Sequence, residues 1–345
     1  MNTKTEYPTN AASVEFGWDF QHNAGIMIML MNIKDAKSIK IEGKSEDIEI
    51  TLRNGHKIYA QAKSVVRYDD FSHVLANVKK SIGTLNNAWK NGDGECLIYT
   101  TNSPNPLSDR MSVMAFSAGP VCLSYDELPT RACKDKIDKI YLQQRCNFPK
   151  EKFRIFVFGF HGDEDANRYR NVEESVGKFM ERVGLRGRFY WGKRAMERWQ
   201  VLFGRNASNA DLHIEITKEE MMWPLIVWLC DAHEKDVWSS NLDDAAIEEI
   251  DMHYKMLIRD VKEDFRFVAK VLSMFDGYKA LLENRSKSVK DATLTFVTEK
   301  WHEFREDFDL RGADEDITKG VISLAVENVI RNRFDIKRIK AEVNL

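Results

Sequence analysis

Between residues 39 and 64 apolar and polar side chains alternate with a period of two, and the alternation is broken by turn chemistry. Ile48-Glu49-Ile50-Thr51-Leu52 has the period of a half-buried strand, and Arg53-Asn54-Gly55-His56 follows as a turn, because Asn-Gly can adopt positive φ. The returning run, Lys57-Ile58-Tyr59-Ala60-Gln61-Ala62-Lys63, alternates again. A hairpin preceded by one more short strand is therefore predicted, with Gln61 and Lys63 on one side of the return strand, about 6–7 Å apart.

The flanking segments extend this into a sheet covered by helices. Gly17-Trp18-Asp19-Phe20-Gln21 opens a helix-like stretch whose apolar residues 26–31 pack over a sheet. Residues 69–90 read as an amphipathic helix, and Cys96 to Asn102 as a buried strand ending in a polar loop. Residues 153–160 read as a strand, 170–184 as a helix ended by Gly184, and 212–216 as a strand, while Trp223-Pro224 starts an apolar run to Leu229. From about 242 onward helical periodicity dominates, over 243–284, 288–309 and 315–342, with starts near Ser286-Lys287-Ser288 and Asp316-Ile317-Thr318. The expected architecture is α/β (α+β): a mixed sheet flanked by helices over residues 1–230, followed by an all-helical module over 231–345, with the boundary within 225–242.

The hairpin also carries chemistry. Asp47 stands at the mouth of its first strand, and pairing that mouth with the far end of the second strand brings a carboxylate, the Gln61 amide and the Lys63 ammonium to one sheet edge. Those groups suit a hard divalent ion and a scissile phosphate: oxygen ligands for the metal and a cation to orient or deprotonate the attacking water. Glu42, just upstream, is a second carboxylate within reach, and Gln21 lies near the start of the first helix. The competing reading is a solvated hairpin face, with Ser45-Glu46-Asp47 as ordinary turn residues.

Gly-x-x-x-Gln at 17–21, Glu-x-x-x-x-Asp-Ile at 42–48, Gln-x-Lys at 61–63 and the strand end Thr101-Asn102 resemble the double-stranded-DNA endonuclease domain of bacterial anti-phage effectors, including the CBASS effector nuclease. That domain is a branch of the restriction-endonuclease-like PD-(D/E)xK superfamily. The resemblance is clearest over the first 105 residues or so and continues more weakly to about 225. It implies a restriction-endonuclease-like sheet, with Asp47 as metal-binding acid, Gln61 in the (D/E) position, Lys63 as catalytic lysine, and Glu42 and Gln21 as accessory polar residues. Mg²⁺ or Mn²⁺ would be held by Asp47, Gln61, Glu42 and the carbonyl of Ala62. Gln61 replaces the commoner acid, leaving one negative charge fewer on the metal, so weak metal affinity is expected before DNA phosphate completes the ligand set.

Charge and cysteine content narrow the remaining possibilities. A net charge of −3 gives no global signal for nucleic acid, so DNA contact must rest on local patches. One is 131–154, with Arg131, Lys134, Lys136, Lys139, Arg145, Lys150, Lys152 and Arg154. The second is 182–205, with Glu197 as its only acid; Arg186, Arg188, Lys193, Arg194 and Arg198 are its candidate phosphate contacts, and little sequence preference is expected. Its alternative is an aromatic core element fringed with basic residues. Five scattered cysteines argue against a disulfide framework and a structural zinc site, and no apolar run is long enough to span a bilayer; a cytoplasmic location is expected. His161-Gly162-Asp163 reads as a loop, and no P-loop motif or complete HExxH is present.

A nuclease without sequence preference needs external control. The helical module is therefore expected either to complete the fold or to serve self-association and partner docking. A nuclease head with a short helical tail looks like the effector subunit of Lamassu-type defence systems, which implies an SMC-like ATPase, a small accessory subunit and homo-oligomerisation on activation. The competing class is a catalytically degenerate nuclease fold acting as a DNA-binding or scaffolding subunit.

Overall fold

A computed structural model describes residues 11–67, 69–117, 119–162, 165–185, 189–231, 244–260, 265–281, 284–308, 310 and 312–345. The chain divides into two compact units, Met1–Lys218 and Glu219–Leu345.

The first unit is built on a seven-stranded mixed sheet. In chain order its elements are α1 (Ala11–Met31), β1 (Ala36–Ile41), β2 (Ile48–Leu52), β3 (Lys57–Lys63), α2 (Val74–Trp89), β4 (Gly94–Thr101), α3 (Arg110–Phe116), β5 (Val121–Ser124) and α4 (Arg131–Gln143). They continue with β6 (Phe153–Val157), α5 (Asp165–Arg168), α6 (Arg170–Arg182), α7 (Phe189–Ala207) and β7 (Ile216–Thr217). The strand order is β5-β6-β4-β3-β2-β1-β7; β3, β4 and β6 are parallel, and the remaining pairings are antiparallel. The predicted hairpin is β2–β3, with Ile48 opposite Ala60 and Ile50 opposite Ile58. Only Gly55 of its turn takes positive φ, while Asn54 accepts the His56 N–H.

Alternation sorts each strand onto two cores. On one face Tyr59, Leu97, Tyr99 and Ile155 join Val78, Ile82 and Leu85 of α2 and Ile137 of α4. On the other, α1 packs on β1, β2 and β3 and is itself covered by α6 and α7. Residues 23–30 of α1 are accordingly all buried, the pattern of a helix enclosed on every side. Its inner end is fixed by aromatic packing: Phe20 stacks on Phe158 at 4.9 Å and meets Phe160 edge-on at 5.6 Å.

Two predicted strands are shorter than their periodicity suggests. β6 stops at Val157, because Phe158 and Phe160 leave the ladder to pack against α1. The expected strand at 212–216 is reduced to Ile216–Thr217: Asp211 draws the chain into a turn by accepting the His213 N–H, and the Ile214 carbonyl is taken by Asn206 Nδ2. The helix expected at 170–184 ends as its sequence indicates, with Gly184 at φ +88° and the Leu185 N–H returning to the Met180 carbonyl.

The second unit is helical throughout its described residues. α8 (Lys218–Asp231) leads into it and contains both Pro224 and the expected 230/231 division; α9 (Asp244–Asp260), α10 (Phe265–Ala280), α11 (Val289–Lys300), α12 (Glu315–Arg331) and α13 (Arg333–Val343) follow. The helix expected over 288–309 gives way at Trp301 to a 3-10 segment. Ser288 caps α11 and Asp314 caps α12, each accepting a backbone N–H three residues on. Residues 317–318 and 320–330 of α12 are buried, so it forms the axis of this unit. The void between Trp223, Tyr254, Phe267 and Val329 is apolar and only about 40 Å³, room for little more than a water.

Phe20→Ala removes the ring that joins α1 to the segment after β6. Truncation of a fully buried Phe is expected to cost the first unit about 3–5 kcal/mol, read as a lowered urea midpoint at unchanged m.

Candidate active site

The connection from β1 to β2 turns sharply. Glu42 adopts φ +54°, its N–H donates to the Asp47 carbonyl at 2.8 Å, and the Gly43 N–H donates to the Glu46 carbonyl at 3.0 Å. Glu49, on β2, fixes this turn from beneath: its Oε1 accepts the N–H groups of Ser45 at 2.7 Å and Glu46 at 3.3 Å, while its Oε2 pairs with Lys57 at 3.0 Å. A Cβ at 43 would lie 2.5 Å from Glu49 Cδ, so any larger residue there would displace the Glu49 carboxylate that holds the turn.

Held this way, Asp47 faces the end of β3. Its Oδ2 accepts the Ala62 N–H at 2.9 Å and an amide hydrogen of Gln61, and lies 3.7 Å from Lys63 Nζ. Lys63 Nζ also donates to the Ala62 carbonyl at 3.0 Å. From α1, Gln21 Nε2 donates to the Asp47 carbonyl at 2.9 Å. Asp47, Gln61, Ala62, Lys63 and Gln21 are thus brought together at the carboxyl end of β3, the middle strand of the sheet, where the Asp47 and Lys63 side chains are about a quarter exposed. Glu42 is not: its side chain is exposed and takes no part in these hydrogen bonds.

Glu46 occupies the place expected of Glu42. It is 4% exposed, and its Oε1 is buried without a hydrogen-bond partner. Thr84, on α2, has one hydroxyl hydrogen for three acceptors: Gln61 Oε1 at 2.8 Å, Ser81 O at 3.0 Å and Glu46 Oε2 at 3.4 Å. Burial, reinforced by the neighbouring Asp47 charge, pushes the Glu46 carboxyl up to about 8. The site therefore gathers hard oxygen acceptors around a carboxyl that keeps its proton in the absence of a counter-charge. That fits a divalent cation, with Glu46, Asp47, the Gln61 amide oxygen and the Ala62 carbonyl as candidate ligands. Among the described residues no three His, Cys, Asp or Glu side chains form a metal-ligating group, so an amide and a carbonyl oxygen would complete this set.

A second network supports the lysine. Asn102, at the end of β4, is fully enclosed; its Oδ1 accepts the Val65 N–H at 2.7 Å and its Nδ2 donates to the carbonyls of Val65 and Phe160, each at 2.8 Å. The segment following Lys63 is thereby tied to the segment following β6, at the carboxyl ends of the parallel strands where α/β sites form. His161 abuts Asn102 at 3.2 Å, and burial lowers its pKa.

The two basic segments differ in kind. In 131–154 four of the eight cations are paired: Arg131 with Asp135, Lys136 with Asp109, Lys150 with Asp138 and Lys152 with Glu95. In the other segment Arg186 and Arg188 lie outside the described residues, while Lys193, Arg194 and Arg198 lie on the exposed face of α7. Trp199 is buried there, edge-on to Phe179, so its ring belongs to the core.

No protein-family model, curated protein or solved structure matches this chain.

The raised Glu46 carboxyl has a definite stability consequence. Its pKa is above the unfolded value, so the folded metal-free protein holds the proton more tightly. The stabilisation is complete below about pH 4.5 and is lost as pH rises through about 8. In EDTA, Glu46→Gln is expected to flatten the decline in stability between pH 5 and 9 and to raise stability at pH 9 by a few kcal/mol, measured by urea denaturation across pH.

Proposed function

We propose that the first unit is a metal-dependent deoxyribonuclease cleaving double-stranded DNA with little sequence preference, the effector of a bacterial anti-phage defence system. The observation that carries this reading is the convergence of Asp47, Gln61 and Lys63 beside Glu46, whose buried oxygen lacks a partner. Mg²⁺ or Mn²⁺ at the Glu46, Asp47, Gln61 and Ala62 oxygens would supply Lewis-acid polarisation of the scissile phosphate.

The chain's own residues do the rest. Lys63 is aimed by the Ala62 carbonyl and the Asp47 carboxylate, so its ammonium is presented at the partly open strand end, where it orients the attacking water and offsets the charge developing on phosphate. Asp47 is held on both sides, by Gln21 from α1 and by Ala62 N–H from β3, which keeps its carboxylate directed at the same strand end. Gln61 contributes an oxygen without adding charge, and Thr84 orients that amide.

Among the described residues no helix is long and apolar enough to cross a membrane. The proposed setting is the cytoplasm, with control through self-association or an SMC-like ATPase and its small accessory subunit. A second reading, a DNA-binding scaffold without catalysis, draws on the two-carboxylate composition of the site.

Plasmid and linear DNA incubated with Mg²⁺ or Mn²⁺ separate the two. Cleavage by the parent, with at least ~100-fold loss in each of Lys63→Ala and Asp47→Asn, supports the nuclease. DNA binding with no cleavage, alone or with any co-purifying partner, supports the scaffold. Lys63→Ala cutting as fast as the parent would remove Lys63 from the chemistry.

A further inference from the structure

α7 presents one face of consistent chemistry. Tyr190, Lys193, Arg194, Glu197, Arg198, Val201 and Arg205 recur at three- and four-residue steps and are all exposed, so the face is basic apart from Tyr190, Glu197 and the apolar Val201, whereas Ala195, Met196, Trp199 and Phe203 face inward and are buried. Glu197 is the only acid on this exposed face of described residues, and Lys193, Arg198 and Arg205 make no ion pair among the described residues. Four cations against one carboxylate on one helix face contrast with 131–154, where four of the eight cations are in ion pairs with Asp or Glu.

The stripe also has a fixed relation to the candidate site. Asn206, beside Arg205, closes the carboxyl end of α7 onto the sheet: its Oδ1 accepts the Ile41 N–H at 2.9 Å, its carbonyl accepts Lys40 Nζ at 2.9 Å, and its Nδ2 donates to Ile214. Ile41 pairs with Ile48, and Ile48 with Ala60, so the site begins two strand spacings away, roughly 10 Å. Halfway along, Gln200 Nε2 donates to Asn23 Oδ1 of α1, the helix that also places Gln21 at Asp47. Stripe and site are therefore parts of one rigid framework.

We infer that the exposed face of α7 is a phosphate-binding track for duplex DNA, with Arg205 nearest the candidate site and Lys193 at its far end. The inference rests on the reading of the first unit as a DNA-cleaving enzyme and specifies where the rest of its substrate lies. Lys193 to Arg205 spans about 18 Å of helix axis, some five base pairs of B-DNA at about 3.4 Å each. Contacts confined to the backbone carry no sequence information, in keeping with a nuclease of low specificity.

The test uses the full chain in EDTA, so that binding is read without cleavage. Fluorescence anisotropy follows labelled duplexes of 8, 12, 20 and 40 base pairs between 50 and 200 mM salt. The fourfold variant Lys193→Gln, Arg194→Gln, Arg198→Gln, Arg205→Gln is compared with the parent and with Lys134→Gln, Lys139→Gln, Arg154→Gln from the other basic segment. The expected result is a roughly 10- to 100-fold weaker Kd in the fourfold variant at 100 mM salt, with the slope of log K against log salt reduced by about 3 to 4 and the gain of affinity with duplex length lost. The 131–154 variant is expected to bind as the parent does. Should the fourfold variant fail to fold by circular dichroism, the single exposed change Arg198→Glu is used for the same comparison. Unchanged Kd and slope, equal loss in the 131–154 variant, or α7-dependent binding to vesicles rich in anionic lipid with none to duplex, each overturns the track. The separate outcomes stay distinct: loss of binding in a protein that never cleaves keeps the track and removes the nuclease, whereas active cleavage with unmoved binding keeps the nuclease and removes the track.

Discussion

The register of β2 against β3 is the constraint on which the candidate site depends. With Ile48 opposite Ala60, Asp47 falls across from Gln61 and can accept the Ala62 N–H, while Gln61 and Lys63 point to the α2 side, where Thr84 waits. A slip of one residue would turn Gln61 and Lys63 toward α1 and bury an ammonium among Ile and Phe side chains. Burial enforces the register: Ile48, Ile50, Ile58 and Ala60 are enclosed, and a slip would exchange them for polar neighbours. The turn before β2 is set by Glu49 and its pairing with Lys57. The register and the Glu49 cap, itself paired across the same two strands, thus fix the Asp47 backbone before any side chain of the site is considered.

Much of this was legible in the sequence because it rests on period. The alternation of 48–52 and 57–63 gave the hairpin, and the hairpin gave the meeting of Asp47, Gln61 and Lys63. Glu46 was not legible. It sits in an irregular connection where no period indicates which way a side chain points, and Ser-Glu-Asp reads as exposed turn chemistry. Which of two carboxylates turns inward, Glu42 or Glu46, is decided by the positive φ at Glu42 and by the Glu49 cap, both tertiary facts. Strand ends failed for a related reason. Leu212 and Ile214 alternate correctly but stay exposed, because Asp211 and Asn206 satisfy the backbone locally and the ladder is not needed. The two basic segments already differ as strings, since Glu197 is the only acid within 182–205; partners distant in sequence, such as Asp109 for Lys136 and Glu95 for Lys152, neutralise further cations of the other segment.

α1 links these parts. Enclosed by the sheet on one side and by α6 and α7 on the other, it cannot rotate without exposing core, so its few polar residues act from fixed positions. Gln21 reaches Asp47, Asn23 joins Asp19 to Gln200 of α7, and Asp19 binds the Tyr169 hydroxyl at 2.7 Å beside Arg168. Burial raises the Asp19 pKa despite these partners. Close approach at Gly25 is part of the same arrangement, since a Cβ there would meet Ile41 at 2.7 Å and Phe203 at 3.2 Å. The distance between the site and the basic face of α7 is consequently a property of the core.

The unsatisfied oxygen of Glu46 contrasts with the polar groups that build the turn and the strand ends around it. Asn102 uses both ends of its amide, Glu49 uses both carboxylate oxygens, and Asp47 has its backbone carbonyl and Oδ2 engaged. A carboxylate left with one buried, unpartnered oxygen costs stability unless it is protonated, and the fold does nothing to relieve it: Lys63 is turned toward Asp47 and Ala62, and Thr84 toward Gln61. Among the described buried side-chain atoms without a partner, Glu46 Oε1 alone belongs to an acid, the others being hydroxyls of Ser81, Tyr99, Thr100, Ser103 and Ser112 and the Asn328 amide oxygen, so the electrostatic cost falls at this carboxyl. A neutral Gln at 61 limits the penalty, since a third carboxylate beside Glu46 and Asp47 would raise the electrostatic cost of the metal-free state further. In the proposed reading, the neutral amide at 61 is what lets the site persist without a cation and fill when phosphate brings one.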